Sequence, residues 1–228
     1  MKTVIIYGIE HKGNTYHVVQ SFKEKLKIQA DDVTEFFLPK DMPHFCAGCS
    51  NCFMKGEELC PHYGDMNPII EAILNADLII FACPTFIAHI PAQMKALIDH
   101  LAYLYLPHRP REAMFHKTAL VVSTVGGAGM RAAIKYLKSC LNMLGISQIF
   151  TFGAVVGGME LEDITRKVQK KVKRVSDQIL AKQGRVRVSL KTKGYFLMFR
   201  LPHKGGKFIP YEREYWKKQG WLGNSRPW

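Results

Sequence analysis

Five short runs of aliphatic and β-branched residues alternate with longer segments of helical period, and this alternation limits the fold more than any other feature. Three of the runs are almost continuously apolar, as strands covered on both faces are. Strands that alternate with helices form a parallel sheet with crossover helices. The predicted strands are VIIYG (4–8), VTEFFL (33–38), DLIIFAC (77–83), TALVVSTV (118–125) and QIFTFGAVV (148–156), and the predicted helices span 14–28, 67–75, 91–104, 128–144 and 160–183.

The number of βα units fixes the expected domain. Five units within residues 1–183 are the size of a flavodoxin-like, doubly wound α/β domain with strand order 2-1-3-4-5. A six-stranded dinucleotide-binding sheet is the competing fold. Asn14 or Thr15 is expected to cap the first helix, Asn67-Pro68 to begin the second, and Gly145 to follow the fourth.

Residues 184–228 lack this alternation and form a C-terminal extension that is aromatic and basic. It holds eleven Lys and Arg residues against two Glu, and so carries nine of the thirteen net positive charges of the chain. The body of the protein is therefore only mildly basic. No recognised nucleic-acid module accompanies the extension, so a nucleic-acid partner is not predicted. We interpret the extension as an arm that packs on the domain or on a neighbouring subunit, and predict a homodimer or homotetramer.

The N-terminus, MKTVIIYG, has too few apolar residues for the h-region of a signal peptide and instead predicts the first strand. The apolar runs are shorter than a membrane span, so no membrane partner is predicted. Both observations together predict a cytoplasmic location. In that reducing compartment a tight group of cysteines is more often metal-binding or redox-active than disulfide-bonded.

Such a group lies in a cysteine-rich loop, residues 44–66, with the spacing C-x2-C-x2-C-x7-C. Iron-sulfur clusters are held by four thiolates, commonly in C-x2-C-x2-C runs with a more distant fourth cysteine before a proline, as in Cys60-Pro61. Zinc would use the same thiolates. His44 and His62 flank the group and could be ligands, but loop histidines are more often solvated. A [4Fe-4S] cluster, zinc, disulfides or no metal stay open, and the candidate ligands are Cys46, Cys49, Cys52 and Cys60.

Three glycine- or proline-bearing loops follow strands 1, 3 and 4. In a doubly wound sheet these loops converge where the strand order reverses. GIEHKGNT opens a helix whose N-terminus suits a phosphate, CPTFIAHIP offers an aromatic side chain, and STVGGAGM lets backbone approach a planar ligand. Together they predict a site for a phosphorylated aromatic cofactor.

These segments carry a resemblance to a known family. GIEHKGNT resembles the phosphate loop GSPRxxGNT of the flavodoxin-like NADPH-dependent FMN reductase family. CPTFIAHIPAQMKALIDHL is similar to a proline- and lysine-containing segment of the same family, and the cysteine-rich loop resembles its iron-sulfur flavoprotein branch. The match covers roughly residues 1–183, and the second segment is the most specific.

The resemblance implies FMN, with its phosphate at the first loop and its ring between the other two. The chemistry belongs to the flavin, so no catalytic side chain is predicted. Gly8 and Glu10 stand where the family usually has serine and arginine, and this predicts a weaker phosphate site unless His11, Lys12 or a residue from a partner subunit compensates. Phe86 and His100 replace the usual tyrosine and arginine. The implied cofactor-binding residues are His11, Lys12, Gly13, Asn14, Thr15, Pro84, Thr85, Phe86, Ile87, Ala88, Thr124, Gly126 and Gly127.

Three functions are considered. The leading one is an FMN-binding oxidoreductase that accepts hydride from NAD(P)H and passes electrons to a small-molecule or protein acceptor, with the [4Fe-4S] cluster as an added centre. The second is an electron-transfer iron-sulfur flavoprotein reduced by a protein donor such as ferredoxin. The third is a non-redox binding protein whose basic tail contacts an anionic partner.

Overall fold

A computed structural model describes residues 1–228 and contains one five-stranded sheet, in which every neighbouring pair of strands is parallel. The strand order is β2-β1-β3-β4-β5, which confirms the predicted flavodoxin-like topology and excludes the six-stranded alternative. The strands are β1 (Thr3–Tyr7), β2 (Val33–Phe37), β3 (Leu78–Pro84), β4 (Thr118–Val125) and β5 (Gln148–Val155).

Helices cover both faces of the sheet. On one face α1 and α6 pack against Ile5 and Ile80, and on the other α3, α4 and α5 pack against Ile6 and Phe81. Successive residues of β1, β3 and β4 thus enter different cores, which is why these three strands are buried along almost their whole length, whereas the edge strand β2 is not. No helix has both the length and the apolarity that crossing a bilayer requires. The helices are α1 (Asn14–Lys25), α2 (Asn51–Met54), α3 (Tyr63–Asn75), α4 (Ala92–His100), α5 (Met130–Met143), α6 (Leu161–Lys182), α7 (Leu190–Lys204) and α8 (Pro210–Lys218).

Two predicted helix starts are wrong. The N-cap of α1 is Gly13, whose backbone is extended and which offers no side-chain cap, so neither Asn14 nor Thr15 caps it. Helix α3 begins at Tyr63 rather than at Asn67, since the N–H of Met66 already donates to the carbonyl of His62 at 3.1 Å. Gly145 does follow α5, in the left-handed conformation that a C′ glycine supplies.

The C-terminal extension folds back on its own domain as α7 and α8. Phe196, Trp216 and Trp221 are each at most 1% exposed and form a third apolar cluster with Leu106 and Phe115 of the domain. This agrees with the interpretation that the arm packs on the domain. The contact with a second subunit stays a prediction.

His203 of α7 makes the attachment of the extension sensitive to pH. Its ring is fully buried and stacks on Trp216, with ring centroids 4.5 Å apart. Nε2 donates to the carbonyl of Pro107 at 2.9 Å, whereas the buried Nδ1 has no partner. Burial, together with the nearby His108 and Arg213, lowers the pKa of His203 below its ordinary 6.5, although the bond to Pro107 opposes this. The neutral ring is therefore the form that the fold accepts.

We expect stability to fall on acidification for this reason. A folded pKa below the unfolded one means that the unfolded chain binds the proton more readily, so the contribution is complete above about pH 6.5 and is lost as pH falls toward the folded pKa. Urea midpoints of wild type and His203→Gln, measured at pH 7.5 and 5.5, check this. The wild type should lose more stability than the variant, and equal losses would contradict the expectation.

Candidate functional site

A cavity of about 370 Å³ lies at the carboxyl ends of the strands, where the strand order reverses. Four loops wall it, those after β1, β3, β4 and β5. In a doubly wound sheet this is the place where ligands bind. The lining residues are Ile9, His11, Gly13, Asn14, Thr15, Pro84, Thr85, Phe86, Thr124, Val125, Gly126, Val156, Gly157, Gly158 and Met159.

Most of the residues implied by the resemblance line this cavity, and four do not. Those four are Lys12, Ile87, Ala88 and Gly127. The ammonium of Lys12 lies over the ring of Tyr16, 5.4 Å from its centroid, and Ile87 is 99% exposed. Gly127 lines a neighbouring shallow surface instead. These four residues therefore lie outside the wall of the cavity.

The loop after β5 supplies a wall that the sequence analysis missed, formed by residues 156–159. A β-carbon built on Gly157 would lie 2.1 Å from the carbonyl oxygen of Gly126. The N–H of Val156 donates to Val125 at 2.8 Å, which holds the two loops side by side. No side chain fits where the loops after β4 and β5 meet, so backbone atoms alone form the wall there. Such a wall allows the edge of a planar ring to approach closely. The Gly157-Gly158 pair directly after a strand was the available signal.

The N-terminus of α1 suits an anion. Its first-turn N–H groups have no intrahelical acceptor, no side chain caps them, and no acidic residue occurs in that turn. The ring of His11 lies against Gly13, within 2.9 Å of the place where a β-carbon would stand. Glu10 is exposed and lies outside the cavity wall, so its carboxylate does not occupy the anion position. Of the two residues proposed to compensate for the unusual loop, His11 is in position and Lys12 is not.

Buried hydroxyl pairs tie the cavity walls together. Thr15 of α1 is hydrogen bonded to Thr124 of β4 at 2.7 Å, and Thr85 to Ser123 at 3.0 Å. All four residues are at most 9% exposed. Since each pair joins segments distant in sequence, the loops are held in one arrangement before any ligand arrives.

The loop after β3 contains a strained turn. Phe86 and His89 exchange two backbone hydrogen bonds, of 2.8 and 2.9 Å, around Ile87 and Ala88. Both turn residues have positive φ, 44° and 62°, which is rare for a β-branched residue such as isoleucine. A β-carbon on Gly129 would lie 2.3 Å from Cα of Ala88, so the turn rests directly on the loop after β4. Strain of this kind is typical of functional loops.

Gly8 has a steric reason to depart from the family pattern. A β-carbon there would lie 2.7 Å from Cβ of Cys83, which is fully buried in β3. Serine at position 8 therefore cannot coexist with Cys83 in this backbone. The missing hydroxyl is a consequence of packing at the end of the sheet.

The four cysteines of the loop line a second, smaller cavity of about 70 Å³. All four are free thiols in this structure. Burial, and after it the neighbouring Cys60, Cys46 and Cys49, raise the pKa of the Cys52 thiol to about 11, although the nearby Arg109 opposes this. The four thiols therefore lie near enough to one another to disfavour each other's charge.

Arg109 holds the cysteine-rich loop in place. Its guanidinium donates to the backbone carbonyl of Cys52 and to the carboxylate of Glu57, at 2.5 Å in each case. It is 3% exposed and lies between the rings of Tyr103 and Tyr211, 5.0 and 4.9 Å from their centroids. A buried guanidinium with stacked faces and two accepting partners is a rigid support.

Glu57 is the second half of this support, since Arg111 also pairs with it. Burial alone would raise the pKa of Glu57, but its own backbone N–H, Arg109 and Arg111 outweigh that effect and hold it below the ordinary 4.5. The carboxylate is therefore charged at neutral pH, as the pairing requires.

The C-terminal extension completes the support from the other side. Tyr215 donates to the carbonyl of Pro110 at 2.6 Å, and the indole of Trp216 donates to that of His108. Glu212 is fully buried and pairs with His108 at 3.0 Å. Helix α8 also packs on α2 of the cysteine-rich loop. The extension thus holds residues 108–110 in place, and Arg109 within that segment holds the cysteine-rich loop.

Comparisons with known proteins agree with this geometry. The sequence profile of the NADPH-dependent FMN reductase family matches residues 1–159. An iron-sulfur flavoprotein of Archaeoglobus fulgidus is 25% identical over 231 residues, covering 97% of this chain and 100% of the relative. An iron-sulfur flavoprotein of Methanosarcina thermophila is 28% identical over 154 residues, covering 67% of this chain and 78% of the relative.

Solved structures share the fold. The FMN-dependent NADH-azoreductase from Bacillus anthracis, in complex with FMN, superposes with a TM-score of 0.61 at 18% identity, covering 78% of this chain and 99% of that one. An NAD(P)H:quinone oxidoreductase from Methanothermobacter marburgensis gives a TM-score of 0.59 at 17% identity, covering 78% and 94%.

The sheet order and the cavity at its switch point, beside an uncapped helix N-terminus, define a flavodoxin-like protein. The profile match narrows this class: the chain belongs to the NADPH-dependent FMN reductase family. It is thus an FMN-binding oxidoreductase. The family, the fold and the enzyme class that the sequence predicted are confirmed.

Proposed function

We propose that the protein is an NAD(P)H-dependent flavoenzyme that holds FMN in the 370 Å³ cavity and a [4Fe-4S] cluster on its four loop cysteines. The observation that carries this proposal is the pairing of a preformed anion-binding cavity with a separate cavity lined by four free thiols. The predicted site residues that line the first cavity are the ones we propose to contact FMN.

The residues of the first cavity have distinct tasks. The N–H groups that open α1, with His11, would bind the phosphate, and the backbone of Gly126 and Gly157 would admit the ring edge. Phe86, 48% exposed, would cover a face of the ring. Bound FMN supplies hydride acceptance and one-electron release. The protein would bind and orient the cofactor, and no side chain is proposed as an acid or base.

The second cavity would hold the cluster through Cys46, Cys49, Cys52 and Cys60. Helix α4 connects the two sites, because it begins after the loop that lines the first cavity and ends at His100, which lines the second. Nine residues of helix span about 13 Å. The relatives named iron-sulfur flavoprotein support this part of the proposal.

An electron carrier is the second candidate. The same relatives and the four-thiol cavity favour it, and the net charge of +13 suits an acidic protein donor such as ferredoxin. Electrons would then arrive singly at the cluster. A cytoplasmic homodimer or homotetramer remains our expectation for either candidate, and family membership argues against a non-redox binding protein.

Anaerobic purification separates the candidates. We expect bound FMN and about four irons per chain, as a [4Fe-4S] cluster requires. Rapid bleaching of the flavin by NADH or NADPH supports the enzyme, whereas bleaching only by reduced ferredoxin supports the carrier. Protein that binds no FMN would overturn both.

A cysteine variant tests the cluster separately from the flavin. Cys52→Ser should lose most of the iron and retain FMN, because Cys52 lines only the second cavity. Cys140→Ser is the matched control, since Cys140 is buried in α5 away from both cavities. Equal iron content in the two variants would refute the four-cysteine site.

A further inference from the structure

Three ligand-bearing residues meet at one edge of the cysteine cavity. The Sγ of Cys60 and ring nitrogens of His62 and His100 all lie within 4.8 Å of one another. They come from two separate elements, since Cys60 and His62 precede α3 and His100 is the last residue of α4. Cys46, Cys49 and Cys52 do not belong to this close group.

His100 is oriented as metal-ligating histidines are. It is 6% exposed, and its Nδ1 lies 2.8 Å from the carbonyl oxygen of Ala96, to which it donates because a carbonyl only accepts. This fixes the tautomer and turns the lone pair of Nε2 toward His62, 2.9 Å away. A ligating histidine usually donates its other N–H to a carbonyl or carboxylate in the same manner.

His62 is also held. The ring of His44 stacks on it, with centroids 4.5 Å apart and planes inclined by 12°. Nε2 of His44 lies 3.3 Å from the carboxylate of Asp65, which anchors the stacked ring. His62 now donates its Nδ1 proton to His100, and a metal ion between the two nitrogens would replace that proton. The ring of His62 is therefore engaged on two sides, which agrees with the alternative that it is a ligand.

From this geometry we propose that Cys60, His62 and His100 form a mononuclear site for a borderline transition-metal ion such as Zn²⁺. One thiolate and two imidazoles suit that ion, and three protein ligands leave a fourth position for water or a substrate. The site shares Cys60 with the four-cysteine set, so the mononuclear ion and the cluster exclude each other. The mononuclear site is therefore proposed for the protein without its cluster, and it does not require that a cluster ever forms.

Co²⁺ is a spectroscopic probe for such a site. The full-length protein, stripped of iron and kept anaerobic with its thiols reduced, is titrated with Co²⁺ alone. We expect one ion per chain, visible ligand-field bands and a charge-transfer band with the intensity of one thiolate. An intensity corresponding to four thiolates, or no binding, would overturn the proposal.

Variants distinguish the two ligand sets. His62→Gln and His100→Gln should each weaken Co²⁺ binding by at least about 100-fold, because loss of an outer-shell partner alone costs about 10- to 100-fold. The triple variant Cys46→Ser, Cys49→Ser, Cys52→Ser should bind Co²⁺ within about threefold of wild type, and Cys60→Ser should not bind it. If both histidine variants bound Co²⁺ as tightly as wild type, or if the triple variant did not bind it, the site would be refuted.

Cluster reconstitution provides the independent readout. Both histidine variants should still accept a full complement of iron and sulfide, since neither contributes a thiolate, and this also reports that they fold. Failure of reconstitution in wild type would count against the proposed cluster and leave the Co²⁺ result to decide the mononuclear site.

Discussion

Trp216→Ala is expected to lower the free energy of unfolding by about 3–5 kcal/mol. The indole is fully buried between Phe196 and His203, with ring centroids 4.8 and 4.5 Å away at small interplanar angles, and its Nε1 donates to the carbonyl of His108. Alanine would leave a large cavity and an unpaired carbonyl. Urea denaturation at pH 7.5 measures the loss.

The matched control for this variant is Trp228→Ala, which removes the same side chain from the same apolar cluster at a half-buried position. It should lose less than half as much stability. Iron loading should also fall in Trp216→Ala, because α8 supports the segment that holds Arg109, while FMN affinity should be unchanged. Equal destabilisation by the two variants would show that the buried indole is not the anchor.

Gly157→Ala is expected to weaken FMN binding at least about tenfold, or about 1.4 kcal/mol. The new β-carbon would lie 2.1 Å from the carbonyl oxygen of Gly126 and 2.8 Å from its carbonyl carbon, both backbone atoms. The loops after β4 and β5 must therefore separate, and this changes the shape of the cavity wall that they form. Quenching of FMN fluorescence on titration with apoprotein gives the dissociation constant.

Gly127→Ala serves as the control, since no atom lies within 4 Å of a β-carbon at that position and Gly127 is outside the cavity wall. Its FMN affinity should match wild type. Indistinguishable affinities for Gly157→Ala and wild type would exclude the loop after β5 from the site.

The fold was predictable because the three central strands, β1, β3 and β4, are apolar runs that are covered on both faces. The predicted segment 118–125 coincides with β4, and the segment 33–38 exceeds β2 by one residue. Periodicity carries this information locally. The C-terminal helices escaped prediction, since their apolar residues are aromatic anchors for one small cluster and are interrupted by basic residues and glycines.

The site was predictable only where the fold dictates it. Convergence of loops at the switch point located the FMN cavity, but considering only the loops after strands 1, 3 and 4 missed the wall at 156–159. The contacts around the cysteines join residues far apart in the chain: Glu57 and Arg109 are 52 positions apart, and His62 and His100 are 38 apart. Such pairs leave no local pattern, so only the tertiary structure reveals them.

The distribution of the two cavities along the chain implies an order of assembly during synthesis. Every residue that lines the FMN cavity lies at or before Met159, whereas the support of the cysteine-rich loop includes Tyr211. Chains emerge from the ribosome at about 5–20 residues per second and fold from the N-terminal end. On the proposed function, synthesis of the flavin cavity and of α6, which packs on its α1 wall, would therefore end at Lys182, before Tyr211 is made, and metal delivery would follow flavin binding.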